Sequence, residues 1–105
     1  LILLDEPTSA LDLANQDIVL SLLMDLAQSQ NMTVVFTTHQ PNQAVAIANK
    51  TLLLNKQNFK FGETRNILTS ENLTALFHLP MFEQQAQYKE SFFTHFVPLY
   101  KTLLK

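Results

Sequence analysis

Three side chains in this sequence have the types and spacing for acid–base and metal chemistry: Asp5, Glu6 and His39. The two acids follow Leu1-Ile2-Leu3-Leu4, an apolar run that suits a buried parallel strand. In open α/β sheets, ligands bind outside the carboxyl ends of the strands. An acid placed there can hold Mg2+, a hard cation that prefers oxygen ligands. A second acid beside it can take a proton from an attacking water. Taken alone, two acids after four aliphatic residues are more often a solvated strand end than a site. A lone histidine after a strand is likewise usually structural or merely exposed.

The elements around them must decide. Pro7, Thr8 and Ser9 read as a loop, and Asp12 as the N-cap of a helix. In that helix Ile18, Leu22 and Leu26 recur every fourth residue, with Val19 and Leu23 alongside, so one apolar stripe is expected to be buried. Gln28 to Asn31 ends the helix, and the β-branched run Thr33-Val34-Val35-Phe36-Thr37 reads as a second buried strand. Strand, helix and strand at this spacing predict a βαβ unit with a parallel pair. Thr38-His39-Gln40 is then the turn after the second strand, and Pro41 opens a short helix to about Ala48.

Further on, Thr51 to Leu54 reads as a strand. A polar turn follows at Lys56-Gln57-Asn58, then a return strand over Phe59 to Phe61 that Gly62 closes. Thr69 or Ser70 caps another helix, with Leu73, Leu76 and Phe77 as its buried face. Met81 onward reads as a small β-hairpin in which Phe92, Phe93 and Phe96 pack. Leu99 to Lys105 is a frayed tail or one helical turn.

Within this order, Asp5-Glu6-Pro7-Thr8-Ser9-Ala10-Leu11-Asp12 resembles, residue for residue, the Walker B and D-loop segment of ABC ATPases. Thr37-Thr38-His39 stands where that family carries its switch histidine. The resemblance covers residues 1–79 well and the remainder loosely. It implies an α/β fold, part of a P-loop NTPase (RecA-like) core with parallel strands. Residues 1–79 are then the C-terminal part of a nucleotide-binding domain, and 80–105 a C-terminal hairpin and tail.

The resemblance also implies roles and cofactors, ATP and Mg2+. Asp5 would hold the Mg2+ that bridges nucleotide phosphates. Glu6 would polarise the hydrolytic water. His39 would touch the γ-phosphate and hold Glu6 and the water in place. Ser9 and Asp12 would reach across a dimer to the opposite subunit's phosphate loop. Thr8 and Thr38 are expected to be structural, hydrogen-bonding turn backbone.

The stretch Thr38-His39-Gln40-Pro41-Asn42-Gln43-Ala44, with Ala48-Asn49-Lys50, is similar to ATPases of metal-chelate importers, which serve iron-siderophore, vitamin B12 and molybdate uptake. The wording is nearest the molybdate-type members. The turn at Lys56-Gln57-Asn58 departs from the family in lacking a glycine. The branch implies a second ATPase subunit and membrane permeases as partners, and a cytoplasmic location on the inner face of the cell membrane. Two alternatives stand beside it: a soluble, non-transport ABC ATPase, and an inactive truncated remnant or interaction module.

Composition narrows the field. The 105 residues are 47% hydrophobic and 15% charged, a globular balance. A net charge of -2 gives no basic footprint for nucleic acid. There is no cysteine, so no disulfide framework, thiolate metal site or cysteine nucleophile. No apolar run approaches the ~20 residues that span a bilayer, so no direct membrane insertion is expected. His78 and His95 have no metal-ligand spacing. The opening inside an apolar run, without methionine, suggests a chain cut from something longer.

One absence dominates. A phosphate loop needs several glycines whose backbone N–H groups converge on phosphate, then a Lys and a Ser or Thr. This sequence has one glycine, Gly62, followed by Glu63, Thr64 and Arg65. The family's Q-loop and signature are also missing from it. Residues 1–105 alone are therefore expected to show no Mg-ATP turnover above background in a phosphate-release assay. Turnover typical of ABC ATPases would contradict this.

Overall fold

The computed structural model describes residues 1–104. The contacts group residues 1–43 into one unit and those from 44 onward into a second.

In the first unit, strands β1 (Ile2–Leu4) and β2 (Val34–Phe36) pair in parallel, Ile2 beside Val34 and Leu4 beside Phe36. The connection is α1 (Leu13–Ser29). Asp12 caps it as expected: its backbone is extended, and its carboxylate accepts from the Asn15 N–H at 2.9 Å. At the other end Asn31 takes a left-handed φ of 52°, which asparagine tolerates, and the Met32 N–H returns to the Leu26 carbonyl.

Burial in this unit corrects the sequence reading. Neither strand is buried on both faces: Leu3 is 70% and Val35 49% exposed. Side chains alternate across a strand. Ile2, Leu4, Val34 and Phe36 are half-buried, while Leu1, Leu3 and Val35 face outward. The helix shows the same effect. Leu23 is buried, but Ile18 and Leu22 are 63% and 55% exposed. A helix resting on a two-stranded sheet buries a narrower line than its apolar stripe supplies.

The second unit begins within α2 (Pro41–Ile47). Strands β3 (Lys50–Leu54) and β4 (Phe59–Glu63) form an antiparallel hairpin. Its turn manages without glycine because the Asn55 side-chain oxygen accepts from the N–H groups of Gln57 and Asn58, an Asx turn. Gly62 does not close β4. It lies within the strand, opposite Thr51.

A single-turn helix not expected from sequence, α3 (Thr64–Ile67), follows, and then α4 (Ser70–Phe77) capped by Thr69. His78 ends α4 in the left-handed region at φ 60°. Strands β5 (Met81–Tyr88) and β6 (Ser91–Pro98) make the expected C-terminal hairpin, and Lys101–Leu104 forms a 3-10 turn. The tail's last residue, Lys105, lies outside the described residues.

The core of this unit is Leu73, fully buried, with Leu68, Met81, Phe96 and Ala44. Leu76 and Phe77 pack on it while only partly buried. Of the three hairpin phenylalanines expected to pack, Phe96 joins the core and Phe93 lies against the His95 ring, centroids 5.9 Å apart; Phe92 is 72% exposed. On a strand, Phe92 and Phe96 share a face, but Phe92 lies near the hairpin tip, opposite Gln87. Among the described residues no helix is long and apolar enough to cross a membrane.

Leu73→Ala removes the best-buried side chain of this core, and such truncations cost about 2–5 kcal/mol. A loss of that size in urea unfolding of the second unit is expected, with unchanged denaturant slope; a loss under about 1 kcal/mol would contradict the core assignment.

Candidate active site

The parallel register brings two strand ends side by side. The Thr37 N–H donates to the Leu4 carbonyl at 3.1 Å, so Thr37 leaves β2 next to Asp5 leaving β1. The Thr37 hydroxyl then does two things. It donates to Asp5 Oδ1 at 2.6 Å, and it accepts from the Glu6 N–H at 2.9 Å. One hydroxyl thereby ties the Glu6 backbone and one Asp5 carboxylate oxygen to the end of the neighbouring strand.

Glu6 itself has φ 46°, a left-handed backbone uncommon outside glycine. Such a conformation costs on the order of 1–3 kcal/mol and persists where its surroundings over-determine it. Here the Thr37 bond holds Glu6 on the N–H side. The Ser9 N–H holds it on the carbonyl side at 3.2 Å. The Glu6 carboxylate meets His39: Oε1 lies 3.2 Å from Nε2. The imidazole is 84% exposed and the carboxylate 39%, so solvent screens this pair and its contribution to stability is small. Its meaning is positional.

A cleft of about 210 Å3 opens at this point, lined by Glu6, Thr8, Ser9, Thr38, His39 and Gln40. Of the residues singled out from sequence, Glu6, Ser9 and His39 border it. Asp5 is tied to it through Thr37. Asp12 sits at the start of α1 with one carboxylate oxygen engaged in the cap. Thr38 bonds turn backbone as expected, accepting from the Gln40 N–H at 3.0 Å. Thr8 does not: its hydroxyl donates to the side chain of Gln43. A larger cavity, about 620 Å3, is lined by residues of the second unit and holds none of these groups. Size alone therefore does not select the site, and the Glu6 carboxylate beside the His39 imidazole decides for the smaller cleft.

Sequence reasoning missed Thr37. The signal was available: Thr37 is the first residue after β2 as Asp5 is the first after β1, and in-register parallel strands set such residues side by side.

Mg2+ binds one or two carboxylates and otherwise keeps water or substrate phosphate oxygens. Asp5 fits that demand: it is exposed, and its one hydrogen bond among the described residues engages Oδ1 only. No cluster of three histidine or acidic side chains able to cage a metal exists among the described residues. The donor set suits a cation shared with phosphate.

The comparisons show that the chain belongs to the ATP-binding proteins of ABC transporters. The chain is 98% identical over all 105 residues to the molybdate import ATP-binding protein MolC of Haemophilus influenzae, and spans 42% of that protein's length. It is 43% identical over 79 residues to the hemin import ATP-binding protein HmuV of Shewanella denitrificans, covering 74% of this chain and 31% of that one. A solved ABC transporter assigned to the metal-chelate type, in an inward-facing conformation, superimposes with a TM-score of 0.94 at 96% identity, over 97% of this chain and 42% of that one. No family model matches.

Proposed function

We propose that this chain is the hydrolysis-switch part of an ATPase subunit that drives an ABC importer for an oxyanion or metal chelate, molybdate foremost. The approach of His39 Nε2 to Glu6 Oε1, 3.2 Å, is the observation that supports it most directly. Similarity to proteins named for molybdate and hemin import supports the transport reading and ranks molybdate first. The chain spans 42% and 31% of the length of these two relatives.

In this reading Asp5, steadied by Thr37, holds Mg2+. When bound, the cation draws negative charge from the nucleotide's terminal phosphates. Glu6 orients the attacking water and receives its proton. His39 steadies the Glu6 carboxylate and contacts the γ-phosphate. Ser9, exposed on the cleft rim, and Asp12, through the oxygen not used in the cap, reach the phosphate loop of a second ATPase subunit. Residues 1–79 serve the nucleotide, and the C-terminal hairpin of β5 and β6 completes the core around Leu73. The partners are that second subunit and membrane permeases, and the subunit works on the cytoplasmic face of the membrane.

In the full-length protein, Glu6→Gln should lower kcat by about 10²–10⁴, the usual share of a general base, with nucleotide binding retained. His39→Ala should do the same. Wild-type turnover in either variant would remove the reading.

A further inference from the structure

The side chain of Gln43 is buried and hydrogen-bonded through both ends of its amide, and no chemistry described above uses it. It is 6% exposed, one turn into α2. Its carbonyl oxygen accepts from two hydroxyls, Thr8 Oγ1 and Thr38 Oγ1, each at 3.0 Å. Its amino group donates to Gln16 Oε1 and Gln40 Oε1, each at 3.3 Å. A glutamine amide has two acceptor sites and two donor hydrogens. All four are filled, by four residues of three segments: the loop after the acids, the switch turn on either side of His39, and the first turn of α1.

We propose that Gln43 is a positioning residue, whose amide clamps the Thr8 loop against the Thr38-His39-Gln40 turn and so sets His39 over Glu6. The inference rests on the reading of Glu6 and His39 given above and adds the part that aims them.

The geometry gives the reason. An imidazole that is 84% exposed has almost nothing around it to fix its position. Its placement must come from its own backbone. That backbone is gripped on both sides by one chain of bonds: Thr38 Oγ1 accepts from the Gln40 N–H and donates to Gln43, while Gln43 donates to the Gln40 side chain. The same amide holds Thr8, 3% exposed in a loop whose neighbours Ser9 and Ala10 are exposed. Burying a hydroxyl without a partner is costly, so the Thr8 loop is seated by this bond. Movement of that loop is thereby coupled to movement of the histidine turn. The loop also carries Ser9, one residue from Thr8. A displacement of the loop is passed through a single amide to the histidine.

The test uses the full-length ATPase assembled with its permease. Gln43→Leu keeps the volume and removes all four bonds. It should lower kcat on the order of tenfold to a hundredfold, as small misplacements in active sites do, with KM for ATP within about twofold. Thr8→Val keeps the shape and loses the hydroxyl; Thr8→Ser does the reverse. Thr8→Val should lose turnover and Thr8→Ser should retain it, opposite to the order that packing alone produces. Thr8→Val added to Gln43→Leu should cost nothing further, because both remove the same link. Should Gln43→Leu fail to fold, the Thr8 pair still decides. An inactive Glu6→Gln beside unimpaired Gln43→Leu and Thr8→Val, or Thr8→Ser more damaged than Thr8→Val, overturns this inference alone. A fully active Glu6→Gln sinks the reading of the site and the inference with it.

Discussion

One hydroxyl carries the arrangement. Thr37 Oγ1 stands between the ends of β1 and β2, giving its proton to Asp5 and taking one from the Glu6 backbone. Without that bridge, Asp5 would lose its bond to the exit of β2, and the left-handed turn at Glu6 would lose its upstream anchor. With it, the acid that can face a metal and the acid that can face water are both indexed to β2. The next two residues of that strand's exit, Thr38 and His39, are indexed by the same covalent path. A carboxylate pair on one strand and an imidazole on the next thus become a single constellation through a threonine that takes no direct part in the chemistry.

Much of this was legible in the sequence. The apolar run ending in Asp5-Glu6, the Asp12 cap and the β-branched run before Thr38-His39 each point to one element, and their order makes a parallel βαβ unit unavoidable. Parallel strands in register then bring Glu6 and His39 together. Local side-chain bonds were harder to read. Nothing in composition separates the Thr37 hydroxyl from that of Thr38, yet one bonds the acids and the other bonds Gln43. Gln43 itself reads as an ordinary polar residue of a short helix; only the fold brings Thr8 and Gln16 to it.

Burial was the other gap. Apolar runs such as Leu1 to Leu4 predict a strand covered on both faces, and a four-residue repeat such as Ile18, Leu22 and Leu26 predicts a covered helix stripe. Coverage depends on how many layers are present, which a local pattern does not record. Two strands and one helix leave Leu3, Val35, Ile18 and Leu22 open. The chain spans 42% of the length of MolC, and the same apolar surface in a longer protein has more chain to cover it. The second unit shows the converse. Its core closes because Met81 and Phe96 from the C-terminal hairpin meet Leu68 and Leu73, a long-range pairing that helix and strand periods foretell only in part.

In the proposed function, Asp5, Glu6 and His39 converge on the terminal phosphate of a nucleotide. The most direct measurement is a structure of the full-length dimer trapped with Mg-ATP in the Glu6→Gln background. The account predicts the cation at Asp5, Thr37 still bridging the strand ends, and the His39 imidazole within hydrogen-bond distance of the γ-phosphate. A nucleotide held with its cation remote from Asp5 and His39 turned away from the phosphate would contradict it.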